Sequence, residues 1–180
     1  MRTVSRKTLR SVNSVQVNTA LAQHPEIIQW SAADILNLPN VDAETKVLLI
    51  VNNLLVDDCV MHSLAYHYIK CLSDSLNISD PVLLNAIDVF KRWNEGECDD
   101  ESLCDAHYSV LEDIAGIDDF ENQDTDVKAV YLATRYATEN DINKARIALA
   151  LAKAILMLRG ADQAKENEFQ LKYIEQHLKK

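Results

Sequence analysis

The sequence predicts an all-α fold, a single bundle of about seven or eight helices around a central apolar helix, and three observations predict it. Apolar residues recur at spacings of three and four along most of the chain. Only three glycines and three prolines occur among 180 residues, little material for the hairpin turns a sheet needs. Residues 147–158, Ile-Ala-Leu-Ala-Leu-Ala-Lys-Ala-Ile-Leu-Met-Leu, are apolar on every helical face apart from Lys153, the pattern of a helix enclosed by other helices. At about 18 Å this run falls well short of the roughly 30 Å of a bilayer, so no membrane is expected.

The first ten residues carry four cations and no acid and read as part of a flexible basic arm, 1–11, ahead of a single all-helical domain, 12–180. Val12, Val15, Val17 and Leu21 form a weak pattern that His24-Pro25 interrupts. Ser31 reads as an N-cap for a short turn through Ala32, Ile35 and Leu38 before Pro39. From Asp42, the residues Val47, Leu48, Ile50, Val51, Leu54 and Leu55 mark a helix. Asp57-Asp58 either starts a new helix or sits on the outer face of a continuous one, since Val60, Leu64, Tyr68 and Leu72 resume the period at once; a break is the favoured reading.

Asp80-Pro81 is an acid cap followed by proline at the first helical position. The stripe Leu83, Ala86, Ile87, Phe90, Trp93 follows and ends at Asn94-Glu95-Gly96. Asp100 or Ser102 is expected to cap the next helix, with Leu103, Ala106, His107, Val110, Leu111 and Ile114 on one side and Gly116 at its close. After an acidic loop, Thr125 or Asp126 is expected to cap a helix carrying Val127, Val130, Tyr131 and Thr134. The apolar helix comes next. A last helix over about 163–178 offers Ala164, Leu171, Ile174 and Leu178 to the core, with Phe169 and Tyr173 on a second stripe. No strand-period segment competes with these helices.

Four cysteines without a secretory leader place the chain in the reducing cytoplasm as an expectation. The net charge is −10, and its distribution is uneven: residues 95–141 hold fifteen acids against Lys128 and Arg135 alone. Such a region repels nucleic acid, whose binders display basic patches, and attracts a basic protein. Glycine-rich phosphate loops and dinucleotide fingerprints are absent, and no cofactor is expected.

Cys59-x-x-His62 puts two possible metal ligands on neighbouring helical positions, but no second pair has matching spacing, and no metal is expected. Cys104 and His107 stand three apart on one helix without an oxyanion loop, the pattern of packing rather than of nucleophile and base. The expectation is a protein that is not an enzyme. Lys153 inside the apolar run is the one local inconsistency, to be resolved by snorkelling or an ion pair.

The acids are the functional clue. If consecutive helices run up and down, the links at 57–58, 94–101 and 139–141 gather at one end, pooling Asp57, Asp58, Glu95, Glu97, Asp99, Asp100, Glu101, Glu139 and Asp141. The loop with Asp118, Asp119, Glu121, Asp124 and Asp126 falls at the other. These fourteen carboxylates are the candidate partner-binding residues, the two ends standing as rival surfaces.

The segment Ala86-Ile-Asp-Val-Phe-Lys-Arg-Trp-Asn-Glu-Gly-Glu97, the helix with Ala106-His107, an alanine-rich helix and Glu166-Asn-Glu-Phe-Gln-Leu-Lys-Tyr-Ile174 together resemble an all-helical family of immunity proteins. That family belongs to bacterial polymorphic and contact-dependent growth inhibition toxin systems. The resemblance implies an inhibitor that binds one cognate toxin domain stoichiometrically in the cytoplasm and has no catalytic residues. A basic toxin domain fits the charge, a nuclease above all, with the acidic surface occluding the groove that would hold phosphate. A helical adaptor or regulatory protein with a basic partner is the alternative.

Overall fold

The computed structural model of the chain describes residues 2–12 and 14–178; Met1, the start of the expected arm, lies outside them. In chain order the elements are β1 (Thr3–Ser5), α1 (Arg6–Arg10), α2 (Val15–Ala22), β2 (Gln29–Ser31), α3 (Ala32–Leu36), α4 (Ala43–Asn52) and α5 (Asp58–Ser75). There follow α6 (Pro81–Asn94), α7 (Asp100–Gly116), a 3-10 turn (Phe120–Asn122), α8 (Thr125–Ala137), α9 (Ile142–Leu158) and α10 (Gln163–Leu178). The fold is essentially all-α. Among the described residues it has ten α-helices where the sequence predicts seven or eight; α1 and α2 are the ones the apolar pattern does not resolve. The chain comprises two compact units, Met1–Val60 with Asp162–Lys180, and Met61–Ala161.

In the first unit, the stretch expected to be a flexible arm is built into structure. β1 pairs antiparallel with β2 in the register Thr3↔Ser31, Val4↔Trp30, Ser5↔Gln29. Ser5 then caps α1 by accepting from the Thr8 amide at 3.2 Å, and Leu9 is fully buried. The Arg6 guanidinium donates to the carbonyls of His24 and Ile27, which ties the basic segment to the chain before β2. Strands of three residues are too short to show a period, which is why the sequence hides them.

Ser31 caps α3 through a capping box with Asp34, as its position before Ala32 predicts. α4 stops at Asn52, and Leu54 takes a positive φ of 52° before α5 begins, so the expected break at Asp57-Asp58 is present. α10 packs on α3 and α4. Its inward face is Asn167, Gln170 and Ile174, which corrects the expected stripe: Ala164 and Leu178 are exposed and Leu171 is half-buried.

In the second unit α6 packs on α7, α7 on α8, and α8 on α9. Asp80 accepts from the Leu83 amide at 2.9 Å with Pro81 next, as expected. The caps of α7 and α8 sit one residue or more before those predicted: Asp99 accepts from the Ser102 amide at 2.9 Å, and Asp124 from the Asp126 amide at 2.9 Å. Runs of adjacent acids offer several candidate caps, and the one with extended backbone is chosen.

α9 departs most from its sequence pattern. It buries Ala145, Ala148, Leu149, Ala152 and Ile155, and α8 buries Ala129, Ala133 and Ala137 in turn. Side chains this small let two helix backbones approach closely. Enclosure on all faces is not what α9 has: Ala150 and Ala154 are exposed, Ile147 and Leu151 are half-buried, and Leu158 is 82% exposed. Lys153 is half-buried. Alanine favours a helix whether or not it is covered, so an alanine-rich run overstates how much of the surface packs.

Asp141 accepts from the amides of Asn143 at 2.7 Å and Lys144 at 3.0 Å. The Lys144 amide bond comes first among the causes that hold its carboxyl below the ordinary 3.8. Asp141→Ala is therefore expected to lower stability by about 1 kcal/mol at neutral pH. A depressed folded pKa stabilises above the unfolded value and is lost as pH falls through the folded one. Urea titrations at pH 7 and in acid below the ordinary carboxylate range should show the penalty at the first and its fading at the second.

Candidate functional site

In the second unit α6 and α8 finish at the end where α7 and α9 begin. The α6–α7 and α8–α9 links meet there: the Asn140 amide donates to Asp100 Oδ1 at 3.3 Å, and Trp93 Nε1 donates to the same oxygen at 2.7 Å. Glu95, Glu97, Asp99, Asp100, Glu101, Glu139 and Asp141 are brought to this one end. Asp57 and Asp58 belong to the first unit, where Arg2 donates to Asp58 Oδ1 at 2.5 Å.

The loop between α7 and α8 lies at the far end of α7, about 25 Å away for a helix of 17 residues. Three of its five acids, Asp119, Asp124 and Asp126, are occupied within the loop and its flanks. Both oxygens of Asp119 accept from Asn122, at 2.7 and 2.8 Å, across a left-handed φ of 60°. Asp124 caps α8, and Asp126 pairs with Arg159 at 2.8 Å. Lys128 reaches back to the Glu121 carbonyl at 2.7 Å. Asp118 and Glu121 themselves are exposed. Phe120 packs edge-on against Tyr131 with ring centres 5.9 Å apart. Burial, with Asp113 and Asp80 beside it, pushes the Tyr131 phenol far above its ordinary pKa, so it stays protonated.

Carboxylates at the first end also have local work. Asp99 caps α7, and its bonds from the Ser102 hydroxyl and amide hold its carboxyl below the ordinary value. Asp141 caps α9, Glu95 pairs with Lys91 at 3.8 Å, and Glu139 pairs with Lys144 at 3.1 Å. Exposed acids without a capping role remain at both ends, so charge by itself does not rank them.

A pocket does. At the first end lies a cavity of about 260 Å³ lined by Asp100, Leu103, Cys104, His107, Tyr108, Thr138, Glu139 and Asn140. His107 Nδ1 stands 3.2 Å from both the Arg135 carbonyl and Thr138 Oγ1. A carbonyl only accepts, so Nδ1 carries the proton and Nε2 is left as an acceptor. Thr138 sends its own proton to the Thr134 or Arg135 carbonyl, at 3.1 and 2.9 Å. Tyr108 on the rim is 59% exposed, a ring free to meet a partner, with a hydroxyl that can stay wet.

Tyr108, Thr138 and Asn140 are the residues that sequence reasoning passes over. Tyr108 falls off the apolar stripe of α7 and so reads as solvent face; an aromatic ring on the polar side of an amphipathic helix is the signal that marks it. Cys104 and His107 do share the pocket, Cys104 exposed and His107 half-buried. The other Cys–His pairing does not form a site of this kind: Cys59 is exposed, while His62 is buried edge-on to Phe90 and Trp93 at 5.9 and 5.0 Å.

A second cavity, about 380 Å³, lies in the first unit between the starts of α4 and α10. Its polar walls are tied to one another: Asp42 accepts from the Thr45 amide at 2.7 Å, and Gln163 donates to Glu44 at 2.7 Å. No aromatic ring lines it. Among the described residues no three His, Cys, Asp or Glu side chains converge to hold a metal ion, and no helix is long and apolar enough to cross a membrane. Compared with protein-family models, with curated proteins and with solved structures, the chain matches none.

Proposed function

We propose that the protein is an immunity protein that binds a cognate bacterial toxin domain, a basic one of the nuclease class, and neutralises it by covering it with the acidic end of the second unit. The observation that carries this reading is the meeting of the α6–α7 and α8–α9 links, which gathers seven carboxylates at one end, two of them, Asp100 and Glu139, lining a pocket with an exposed tyrosine on its rim. An acidic face of this kind steers a basic partner and competes for a groove shaped to hold phosphate. Its working partner is one folded protein in the cytoplasm, held in equal amount. The resemblance carried by residues 86–97 and 166–174 points the same way.

The test is retention of a partner from lysate of the source organism by the tagged full chain, followed by growth rescue when the retained protein is expressed with and without it. One basic polypeptide, held in near-equal amount and toxic alone, is the expected result. Glu97→Lys with Glu101→Lys should slow its association on the order of tenfold at low salt, and the difference should shrink as salt rises. Asp118→Lys with Glu121→Lys at the far end should leave it unchanged. Several weakly held partners would favour an adaptor, and equal loss from both pairs of variants would reject the first end as the contact surface.

A further inference from the structure

We infer that the pocket between α7 and the α8–α9 link is a receptor for a single arginine side chain, presented by the partner protein. That the arginine comes from a partner rests on the function proposed above; that the pocket selects a guanidinium rests on its own walls.

The volume is the first constraint. Sites for cofactors and small molecules run to roughly 300–1,000 Å³, and about 260 Å³ suits one long side chain rather than a nucleotide or a folded peptide. The second is the bookkeeping of protons. One Asn140 amide hydrogen goes to Asp100, the Thr138 hydroxyl hydrogen goes to a backbone carbonyl, and the His107 Nδ1 hydrogen goes to the Arg135 carbonyl or to Thr138 Oγ1.

What remains along these walls is weighted towards acceptors: the Asp100 carboxylate, His107 Nε2, the Asn140 carbonyl and the Glu139 carboxylate, beside three weaker or neutral donors, the second Asn140 amide hydrogen, the Tyr108 hydroxyl and the Cys104 thiol. Both side-chain bonds to Asp100 fall on Oδ1, so Oδ2 keeps its lone pairs for a ligand. Glu139 is already shared with Lys144, which also rests over the Tyr136 ring at 5.1 Å. Asp100 is therefore the main anchor.

Two carboxylates in one small pocket favour a cation that donates to them, which means a guanidinium or an ammonium. The ring of Tyr108 decides between them. A planar guanidinium stacks on an aromatic face while forking to a carboxylate, whereas an ammonium is a compact, strongly hydrated charge. Leu103 supplies apolar wall for the arginine methylenes. An exposed tyrosine lining the same pocket as a carboxylate thus has a use that neither core packing nor helix capping gives it.

The probe is N-acetyl-arginine methylamide, titrated into the isotope-labelled full chain and followed by nuclear magnetic resonance. Saturable shifts confined to residues 100–108 and 138–140 are expected, with none from the uncharged, isosteric citrulline analogue. Asp100→Asn, which keeps an acceptor for Trp93, should weaken binding about tenfold. Tyr108→Ala, at a solvent-facing position, should weaken it roughly threefold. Equal binding of the citrulline or the lysine analogue would overturn the inference, as would shifts centred on the 117–126 loop. Because the probe needs no partner protein, its failure would strike the arginine receptor alone and leave the partner-retention experiment to judge the proposed function.

Discussion

Phe90→Ala is expected to cost about 3–5 kcal/mol of folding stability. Phe90 is 1% exposed in α6, at the position where the Leu83, Ala86, Ile87 stripe meets two rings. His62 stands edge-on to it at 5.9 Å, and Trp93 stacks beside it at 6.3 Å with the planes 17° apart. Removing the ring leaves a void between α5 and α6 that these neighbours, themselves engaged, fill poorly. Asn94 donates to Ser63 at 2.6 Å on the other side of the same contact, and Trp93 is held by Asp100. Urea unfolding read by tryptophan emission and by circular dichroism measures the loss. A change below about 1 kcal/mol would mean that α5 and α6 close over the gap, contrary to the packing described.

Trp30→Ala should cost a similar amount, about 3–5 kcal/mol, in the first unit. Trp30 is 1% exposed, sits opposite Val4 in the β1–β2 pair and meets His24 edge-on at 6.2 Å. Its indole nitrogen is buried without an acceptor among the described residues, and an unmet buried donor costs about 1–3 kcal/mol. Trp30→Phe removes that donor along with part of the ring, so it should cost less than half of the alanine variant. The pair of variants, unfolded in urea with Trp93 as the remaining fluorophore, separates the value of the ring's volume from the burden of its nitrogen. A phenylalanine variant as unstable as alanine would show that the nitrogen carries no such burden.

The positions of α4 to α10 are legible in the sequence wherever a start signal and an apolar stripe agree. Asp80-Pro81 before Leu83, and Asn94-Glu95-Gly96 after Trp93, bracket α6 closely. Gln163 to Leu178 is also found as a helix, but its inward face is misplaced, because Asn167 and Gln170 are buried polar residues and hydrophobicity does not point to them. β1 and β2 leave no trace. Their three-residue lengths carry no alternation, and the arm's four cations suggest solvent, whereas Arg6 is in fact spent on backbone carbonyls. The enclosure of α9 is overstated by alanines that need no cover.

Of the site, the meeting of the 94–101 and 139–141 links follows from alternating helix direction alone. What spacing cannot show is which acids are caps: Asp99, Asp124 and Asp141 read as surface charge until the amides they accept are seen. The pocket is illegible for a different reason. It is made by Thr138, Glu139 and Asn140 closing over the first turns of α7, from Asp100 to Tyr108, and no local pattern ties residue 138 to residue 107.

The outer face of α9 bears on how the protein behaves as a colloid. Leu158 stands in solvent, with Ala150 and Ala154 exposed and Ile147 and Leu151 half-covered along the same helix. At neutral pH a net charge of −10 keeps copies apart before such a face can meet another. Near the isoelectric point, about 4.9, that repulsion is gone while the apolar stripe remains. Mild acid therefore removes the long-range barrier to self-association before it titrates the caps Asp99 and Asp141, whose carboxyls are held below their ordinary value, and association of folded copies is the expected result near that pH.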